Sequence, residues 1–447
     1  MIGRILKIAL GAVVLAGVVL FAWLFFAPGA LGFAGGKTVA LADYSGPNPT
    51  GVPPSLRAAS LVQQGEYLTR AADCQACHTA PDGQPFTGGR AFALPFGTIY
   101  STNLTPDGAT GTGGYTDAQF IAMMRHGIRP DGERLYPAMP YATYALMTDA
   151  DALAIKAYLS SLAPVRAPTP SNTFGWPFNQ RWLMGLWSWM FNPAEPFRPH
   201  SDRSPQWNRG AYLAEAMAHC GECHTPRNLG FALDNRNKFA GATTNGWRAF
   251  NISADKETGI GSWTDEALVS YLSTGFADGH GVATGPMGEA VDLGLRHLTP
   301  DDIRALVVFL RSVPPVTGDD PQRVVTPADR SYRVGRAEGG DRTGEKIFAG
   351  SCMGCHGWTG TSPVSRHATL TGVSSVNDPS ATNVAQVILN GVHRETPEGL
   401  LLMPSFGHAY TDREIAAVAN YVTARFGAEG AQLTEKDVTT LREQSGH

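Results

Sequence analysis

The sequence predicts an all-α protein in which three helical domains follow one another after a single N-terminal transmembrane helix. The first observation behind this prediction is a pentapeptide, Cys-x-x-Cys-His, that occurs three times and begins at residues 74, 220 and 352. The second is a helix-start signal that follows each copy, and the third is an uncharged run at residues 8–27. A length of 447 residues is enough for about three domains.

The pentapeptide is the attachment signature of c-type haem. Its two thiols each form a thioether with one haem vinyl group, and the adjacent histidine supplies the proximal iron ligand. All six cysteines lie in these motifs, so we expect three covalently bound haem c groups. The expected attachment residues are Cys74, Cys77, Cys220, Cys223, Cys352 and Cys355, and the expected proximal iron ligands are His78, His224 and His356.

Two alternatives for these cysteines are weaker. Structural zinc uses similar Cys-x-x-Cys pairs, but a zinc ribbon needs a second pair within about 15–20 residues. Here the pairs are more than 100 residues apart, and each carries its own histidine. A disulfide framework is weaker still, because no cysteine lies outside the motifs.

Each motif is followed by a closing helix that begins in the same way. Thr148, Thr299 and Thr411 each precede an acidic residue by three positions, which is the spacing of a capping box. An aromatic residue follows each threonine by ten positions: Tyr158, Phe309 and Tyr421. A helix pair packed through aromatic residues around a haem is the fold of small class I cytochromes c, so we expect three such domains in tandem.

These signals place the domain boundaries. The expected organisation is a membrane anchor or signal sequence at residues 1–27, a linker at 28–63, cytochrome c domain 1 at 64–165, an aromatic linker at 166–207, domain 2 at 208–315, a linker at 316–340, domain 3 at 341–428 and a C-terminal tail at 429–447.

A second axial ligand to each iron is expected from a methionine, the usual partner of histidine in cytochromes c. Met139, Met287 and Met403 lie 61, 63 and 47 residues after their histidines, shortly before the closing helix in every copy. Other methionines are expected to be core filler, and the other histidines, such as His126 and His219, are expected to be ordinary polar side chains.

The N-terminus predicts export and membrane anchoring. The run at residues 8–27 is long enough to span a bilayer, and the positive charges of Arg4 and Lys7 before it keep the N-terminus cytoplasmic. The protein is therefore expected at the periplasmic face of the inner membrane. A cleaved signal peptide is the alternative. A net charge of only −4 gives no footprint for nucleic acid.

Within the linker at residues 166–207, the stretch 174–191 carries four of the nine tryptophans: Trp176, Trp182, Trp187 and Trp189. It is too short and interrupted to span a membrane. Aromatic residues at this density are typical of a membrane-interface segment, and equally of a strap buried between domains.

The chain resembles the tri-haem cytochrome c subunits of membrane-bound periplasmic dehydrogenases of acetic acid bacteria. The resemblance is carried by GTIYSTNLTPD at residues 97–107, RHGIRPDG at 125–132, LYPAMPY at 135–141 and HCGECHTPRN at 219–228. It implies a catalytic dehydrogenase partner and ubiquinone as the electron acceptor. The N-terminal anchor and the last motif look most like the cytochrome of the molybdopterin aldehyde dehydrogenase, which implies a small iron–sulfur subunit as well.

The function indicated by these features is that of an electron-transfer subunit without a site for the organic substrate. The same role beside a quinoprotein alcohol dehydrogenase, or a flavoprotein gluconate, sorbitol or fructose dehydrogenase, is the alternative. A self-contained haem peroxidase is a remote alternative, because it needs an open iron position and three methionine ligands are expected here. A redox sensor is less favoured, because no kinase, nucleotide-binding or DNA-binding segment follows the domains.

Overall fold

The structure, a computed structural model, describes residues 7, 10–12, 14–15, 17–19, 22–23, 26–193, 195–317, 342–396, 398–427 and 431–445. Its α-helices from residue 61 onward are α1 Leu61–Ala71, α2 Cys74–Cys77, α3 Asp117–His126, α4 Tyr141–Tyr144, α5 Asp149–Ser161, α6 Leu183–Phe191, α7 Pro205–Tyr212, α8 Gly221–His224, α9 Asp265–Thr274, α10 Gly285–Glu289, α11 Pro300–Arg311, α12 Thr343–Ile347, α13 Met353–His356, α14 Thr382–Asn390, α15 Asp412–Phe426 and α16 Glu435–Ser445.

The same helix crossing occurs three times. An opening helix that leads into a Cys-x-x-Cys-His motif packs against a closing helix: α1 on α5, α7 on α11 and α12 on α15. A glycine lies at each crossing, and a Cβ added there would lie within about 2 Å of a carbonyl oxygen of the closing helix. The three glycines are Gly65, Gly210 and Gly344, and the aromatic residues Tyr158, Phe309 and Tyr421 lie beside them.

The predicted starts of the closing helices are confirmed. The side chains of Thr148, Thr299 and Thr411 each accept a hydrogen bond from the backbone N–H three residues later. These bonds satisfy one of the backbone donors that a helix N-terminus otherwise leaves unpaired. The third helix has a full capping box, because the side chain of Glu414 also accepts from the backbone N–H of Thr411.

The prediction of an all-α fold is incomplete, because the residues that the structure describes, although mainly helical, also form four antiparallel two-stranded hairpins. They pair β1 Ala91–Leu94 with β2 Gly97–Tyr100, β3 Ala242–Thr244 with β4 Trp247–Ala249, β5 Phe276–Ala277 with β6 Gly281–Val282, and β7 Val392–Thr396 with β8 Gly399–Met403. The turn of the second hairpin is Asn245-Gly246, and both residues have positive φ. This dipeptide is a strong hairpin signal in sequence, but three-residue strands are too short to show a period.

The first two helical units share one hydrophobic core. A single cluster of buried side chains includes Leu68 and Ile155 of the first unit together with Leu213 and Leu306 of the second. A separate cluster around Phe348 forms the core of the third unit. The first two units are therefore packed as a pair, and the third joins them through its surface.

The segment at residues 28–63, expected as a linker, packs on the first two units. Gly51 N–H donates to Asp151, and Arg209 donates to the carbonyl oxygens of Pro49 and Gly51. Helix α1 begins at the end of this segment, where Ser60 forms a capping box with Gln63.

The predicted transmembrane run at residues 8–27 is described only in part. Across the portions of the chain that the structure describes, no helix combines the length and apolar character needed to cross a membrane. The described end of this run contacts the second unit. Arg236 lies over the Trp23 ring at 4.0 Å, and the Asn235 side chain donates to the carbonyl oxygen of Pro28.

The close helix crossings predict that a methyl group added at the crossing glycine will lower the stability of the protein. In Gly344→Ala the added Cβ would lie 2.2 Å from the Ala417 carbonyl oxygen, so α12 and α15 must separate. We expect a loss of about 3 kcal/mol of stability, the upper end of typical overpacking costs. Thermal unfolding followed by circular dichroism measures this loss.

Gly350→Ala is the matched control, because the Gly350 Cβ position has no heavy atom within 4 Å. That change is expected to be neutral or slightly stabilising, since alanine favours helix over glycine. Equal unfolding temperatures for the two variants would contradict the close crossing.

Candidate haem-binding sites

The first two Cys-x-x-Cys-His motifs open into one cavity of about 1270 Å³. This exceeds the roughly 300–1,000 Å³ of ordinary small-molecule pockets. Apolar side chains such as Phe120, Ile155 and Leu306 contribute to its wall. The predicted residues that line it are Cys74, Cys77, His78, Met139, Cys220, Cys223, His224 and Met287. The cavity therefore brings both motifs and both expected methionine ligands together.

The three motif histidines are oriented by the same backbone contact. Nδ1 of His78, His224 and His356 lies 2.6 Å from the carbonyl oxygens of Thr102, Phe250 and Ala368, respectively. A carbonyl can only accept, so Nδ1 carries the proton and Nε2 keeps its lone pair. Histidines that bind a metal commonly donate their other N–H in this way, which fixes the tautomer and the ring.

Burial also favours the neutral ring. It lowers the pKa of each of His78, His224 and His356, and the hydrogen bond to the carbonyl opposes that shift only in part. A neutral imidazole is the form that binds a metal.

Two loops that carry the accepting carbonyls have the same construction. Asn103 follows Thr102, accepts from the Thr105 N–H and donates to the Val165 carbonyl. Asn251 follows Phe250, accepts from the Ser253 N–H and donates to the Val316 carbonyl. Each asparagine thus ties the loop behind a histidine to the chain that leaves its closing helix.

The two methionines reach the cavity from different local structures. Met139 lies just before α4, where its carbonyl oxygen accepts from the Tyr141 N–H, and Met287 lies within α10. Both pack against the shared core of the first two units. Their unbranched thioether side chains are soft ligands that suit a haem iron.

The third motif lies apart from this cavity. Cys352 and Met403 both pack against the core of the third unit, and Met403 ends strand β8. Its first cysteine, Cys352, is partly exposed, whereas Cys74 at the same position of the first motif is buried; the second cysteines, Cys77 and Cys355, are both exposed.

Charged side chains join the first two motifs across the boundary between their units. Arg90 donates to the Ala76 carbonyl inside the first motif and pairs with Glu289 of the second unit at 2.8 Å. Glu222, inside the second motif, accepts from the Thr143 hydroxyl of the first unit at 2.8 Å. Asp73, whose Oδ1 atom is buried, precedes the first motif; desolvation and then the nearby charge of Glu289 raise the pKa of its carboxyl to about 8.

These features fit covalent haem. Paired thiols, an oriented neutral histidine and a thioether line one apolar cavity in the first two units. Within the described ranges no three His, Cys, Asp or Glu side chains converge as a metal cluster.

Sequence reasoning missed the carbonyl oxygens behind the histidines and the charged pair of Arg90 and Glu289. The matching loops TNLT at residues 102–105 and FNIS at residues 250–253 were a signal for the first. Nothing in the sequence signals the second, because its partners are 199 residues apart.

Comparisons with known proteins agree with this chemistry. The family model described as cytochrome c matches residues 62–163, and the model described as cytochrome C oxidase, cbb3-type, subunit III, matches residues 339–422. The chain is 38% identical over 415 residues to the fructose dehydrogenase cytochrome subunit of Gluconobacter japonicus, covering 88% of this chain and 85% of that relative. The chain belongs to the family of dehydrogenase cytochrome c subunits.

Other relatives of this cytochrome subunit carry different partner names. The gluconate 2-dehydrogenase cytochrome c subunit of Pantoea cypripedii is 36% identical over 401 residues, covering 86% of this chain and 90% of that protein. The cytochrome c subunit of alcohol dehydrogenase (quinone) of Gluconacetobacter polyoxogenes is 34% identical over 399 residues, covering 86% and 84%. These comparisons place a dehydrogenase beside the cytochrome subunit without selecting which one.

The methionines carry a spectroscopic prediction. If Met139 is the expected ligand, Met139→Ala should remove one of three equal shares of the near-infrared band of iron–methionine bonds, because one iron would lose its thioether. Near-infrared absorption of the oxidised protein measures the band.

Met147→Leu is the control, because Met147 is fully buried in the same core and is expected to be filler. It should keep the whole band. A full band in Met139→Ala would refute the assignment of that ligand.

Proposed function

We propose that this cytochrome subunit binds three haem c groups and passes electrons from a dehydrogenase partner to ubiquinone in the membrane. The observation that carries the proposal is the threefold repetition of a Cys-x-x-Cys-His motif whose histidine Nδ1 bonds a backbone carbonyl. Each domain would attach one haem through its two cysteines. His78 with Met139, His224 with Met287, and His356 with Met403 would be the iron ligands.

When bound, haem supplies a one-electron couple of iron between its ferric and ferrous states. The protein supplies the rest. The carbonyls of Thr102, Phe250 and Ala368 hold the histidine rings, and the mainly apolar wall of the shared cavity would limit the access of water to haems bound at the first two sites. A fixed, dry ligand set rearranges little when charge changes, which favours rapid electron transfer.

The partner is a catalytic dehydrogenase subunit, and we propose the molybdopterin aldehyde dehydrogenase with its small iron–sulfur subunit. Support comes from HCGECHTPRN at residues 219–228 and from the apolar N-terminus. A second candidate is a fructose, gluconate or alcohol dehydrogenase, which the names of the relatives favour. In either case the cytochrome subunit does not itself act on the organic substrate.

The membrane side of the molecule is proposed from an exposed apolar surface on α6. Trp182, Leu186 and Trp189 share one helix face, and the two tryptophans are 71% and 61% exposed. The opposite face packs inward, where Trp187 Nε1 donates to the Gly230 carbonyl at 2.7 Å. The neighbouring Leu229 and Phe231 are exposed as well. We call these five exposed residues the α6 surface.

The end of the N-terminal segment lies near the same side. Leu229 and Phe231 belong to the loop that continues to Asn235 and Arg236, which hold Pro28 and Trp23. An anchor at residues 8–27 and the α6 surface would therefore meet one bilayer, at the periplasmic face of the inner membrane. A quinone dissolved in that bilayer could then approach the cytochrome subunit. The word quinone in the name of the alcohol dehydrogenase relative supports this acceptor.

The α6 surface predicts weaker membrane association in Trp182→Ser/Trp189→Ser. Both rings would lose their contact with the bilayer interface, where aromatic residues are favoured. Co-sedimentation with liposomes of phosphatidylethanolamine and phosphatidylglycerol measures it, on protein from which residues 1–27 have been removed.

Trp187→Phe serves as the control for that experiment, because Trp187 packs against Tyr141 and Gly230. It should co-sediment as the unchanged protein does. Equal sedimentation of the double variant would show that the α6 surface is a strap or a protein contact instead.

The overall proposal is tested on the complex solubilised gently from membranes. Acetaldehyde, ethanol, gluconate and fructose are added separately, and haem reduction is followed by absorption. Reduction by acetaldehyde, with molybdenum in the sample, would establish the aldehyde dehydrogenase partner. Reduction by another substrate would keep the role and replace the partner.

Reduction by none of the four substrates would count against the proposed partners. Stoichiometric carbon monoxide binding to the native protein would reveal an open iron position and favour the haem enzyme. Lack of carbon monoxide binding would favour six-coordinate electron-transfer haems.

A further inference from the structure

Two buried tyrosines connect the first and second domains. Tyr67 of α1 donates to Asp302 Oδ2 of α11 at 2.6 Å and accepts from the backbone N–H of Thr299 at 3.2 Å. Tyr212 of α7 donates to Asp151 Oδ2 of α5 and accepts from the backbone N–H of Thr148 at 3.3 Å. Each tyrosine thus binds the N-terminus of the closing helix of the other domain.

The two tyrosine–aspartate hydrogen bonds run in opposite directions between the domains, and both are buried. Tyr67 and Tyr212 are buried, and so are both aspartates. Burial, together with the neighbouring carboxylate, raises the pKa of each tyrosine far above its usual value, so both hydroxyls stay protonated donors. Truncating such a donor leaves a buried acceptor without its partner, which is costly.

Each aspartate has a second donor. Arg209 donates to both oxygens of Asp302, at 2.8 and 2.6 Å, and the Gly51 N–H donates to Asp151 at 3.0 Å. The carboxylates are therefore held in place from two sides, and each tyrosine meets a fixed acceptor. The two tyrosine–aspartate hydrogen bonds therefore fix how the two domains pack against each other.

Side chains near the two Cys-x-x-Cys-His motifs also bond the neighbouring domain in both directions. Arg90 links the first motif to Glu289 of domain 2, and Thr143 of domain 1 binds Glu222 inside the second motif. Both motifs open into one cavity above one shared core. The tyrosine–aspartate hydrogen bonds and the shared cavity therefore occur in the same pair of domains.

Domain 3 is joined differently. Its opening helix carries Lys346 at the position of the two tyrosines, counted from the crossing glycine. It attaches to domain 2 through Arg394, which pairs with Asp292 at 2.8 Å, and through Asn383, whose side chain bonds the backbone of Arg248. The tyrosine–aspartate hydrogen bonds therefore distinguish the first two domains from the third.

We propose that Tyr67 and Tyr212 are positioning residues that hold the first two haems at a short, fixed separation, so that these two haems form a coupled pair from which the third is distinct. The inference rests on the proposed function for haem occupancy alone. It adds which two haems are coupled and which side chains fix their geometry.

The test uses Soret circular dichroism of the full-length protein. Two strong chromophores held close at a fixed angle split their band into lobes of opposite sign. We expect this couplet in the unchanged protein, its loss in Cys74→Ala/Cys77→Ala, and its survival in Cys352→Ala/Cys355→Ala. In Tyr67→Phe/Tyr212→Phe we expect loss of most of the couplet with all three haems retained, as measured by the pyridine haemochrome.

Tyr158→Phe is the matched control, because Tyr158 packs within domain 1 against Phe86, and it should keep the couplet. If the double variant loses haem, the single variants Tyr67→Phe and Tyr212→Phe each retain one bond and should each show a reduced couplet. A full couplet in the haem-replete double variant, or in both single variants, would overturn the proposal. So would a couplet that depends on the third motif, or none in the unchanged protein. Absence of haem from the unchanged protein would instead refute the proposed function.

Discussion

Cys220→Ala/Cys223→Ala is expected to remove one of the three proposed haems and to lower substrate-driven quinone reduction to the level seen without substrate. The reason is the central place of the second helical unit. It is bonded to the first unit through Tyr67 and Asp302, and to the third through Arg394 and Asp292. Electron transfer falls steeply with distance, so losing the middle haem leaves a gap between the outer two.

The measurement combines haem content with the rate at which the intact complex reduces a ubiquinone analogue. Met217→Leu is the control, because Met217 is fully buried in the segment before the second motif and has no predicted ligand role. It should keep both haem content and rate. An unchanged rate in the double cysteine variant, with one haem lost, would show that electrons bypass domain 2.

Arg394→Ala is expected to cost about 3–5 kcal/mol of stability, the range for breaking a buried ion pair on one side. Arg394 is nearly buried, makes two bonds of 2.8 Å to Asp292 and donates to the carbonyl oxygens of Ala283 and Gly275. Its removal leaves the Asp292 carboxylate with the longer 3.4 Å contact of Arg296, and takes one donor from each of two carbonyl oxygens, at the boundary of the second and third units.

Thermal unfolding of the purified protein, followed by far-ultraviolet circular dichroism, measures this effect. Arg304→Ala is the matched control, because Arg304 and its partner Asp301 are both exposed. A surface pair of this kind contributes about 0–1 kcal/mol. Equal unfolding temperatures for the two variants would show that the boundary does not depend on Arg394.

The α6 helix shows how far local sequence reasoning reaches. The density of tryptophan marked residues 166–207 as unusual, and two environments remained open. The structure separates them by residue: Trp187 is packed inward, and Trp182 and Trp189 are exposed. The spacing of apolar residues in one short helix cannot show which of its faces is buried. That depends on the position of the loop at Gly230, which lies far away in sequence.

The strands show a second limit. The hairpins are two to five residues per strand, and the prediction of an all-α fold passed over them. Their turns were visible in part, as at Asn245-Gly246. This hairpin is held by a residue far away in sequence, because the Asn383 side chain accepts from the Arg248 N–H and donates to the Arg248 carbonyl oxygen.

Features that depend on residues close together along the chain could be predicted from the sequence. These are the three Cys-x-x-Cys-His motifs, the threonine caps of the closing helices and the aromatic residues ten positions after each threonine. The folded structure was needed to show which carbonyl holds each histidine, that Tyr67 and Tyr212 each bond the neighbouring unit, and that the first two motifs face one cavity. Those contacts join residues far apart in sequence, and packing of the shared core, not local spacing, brings them together.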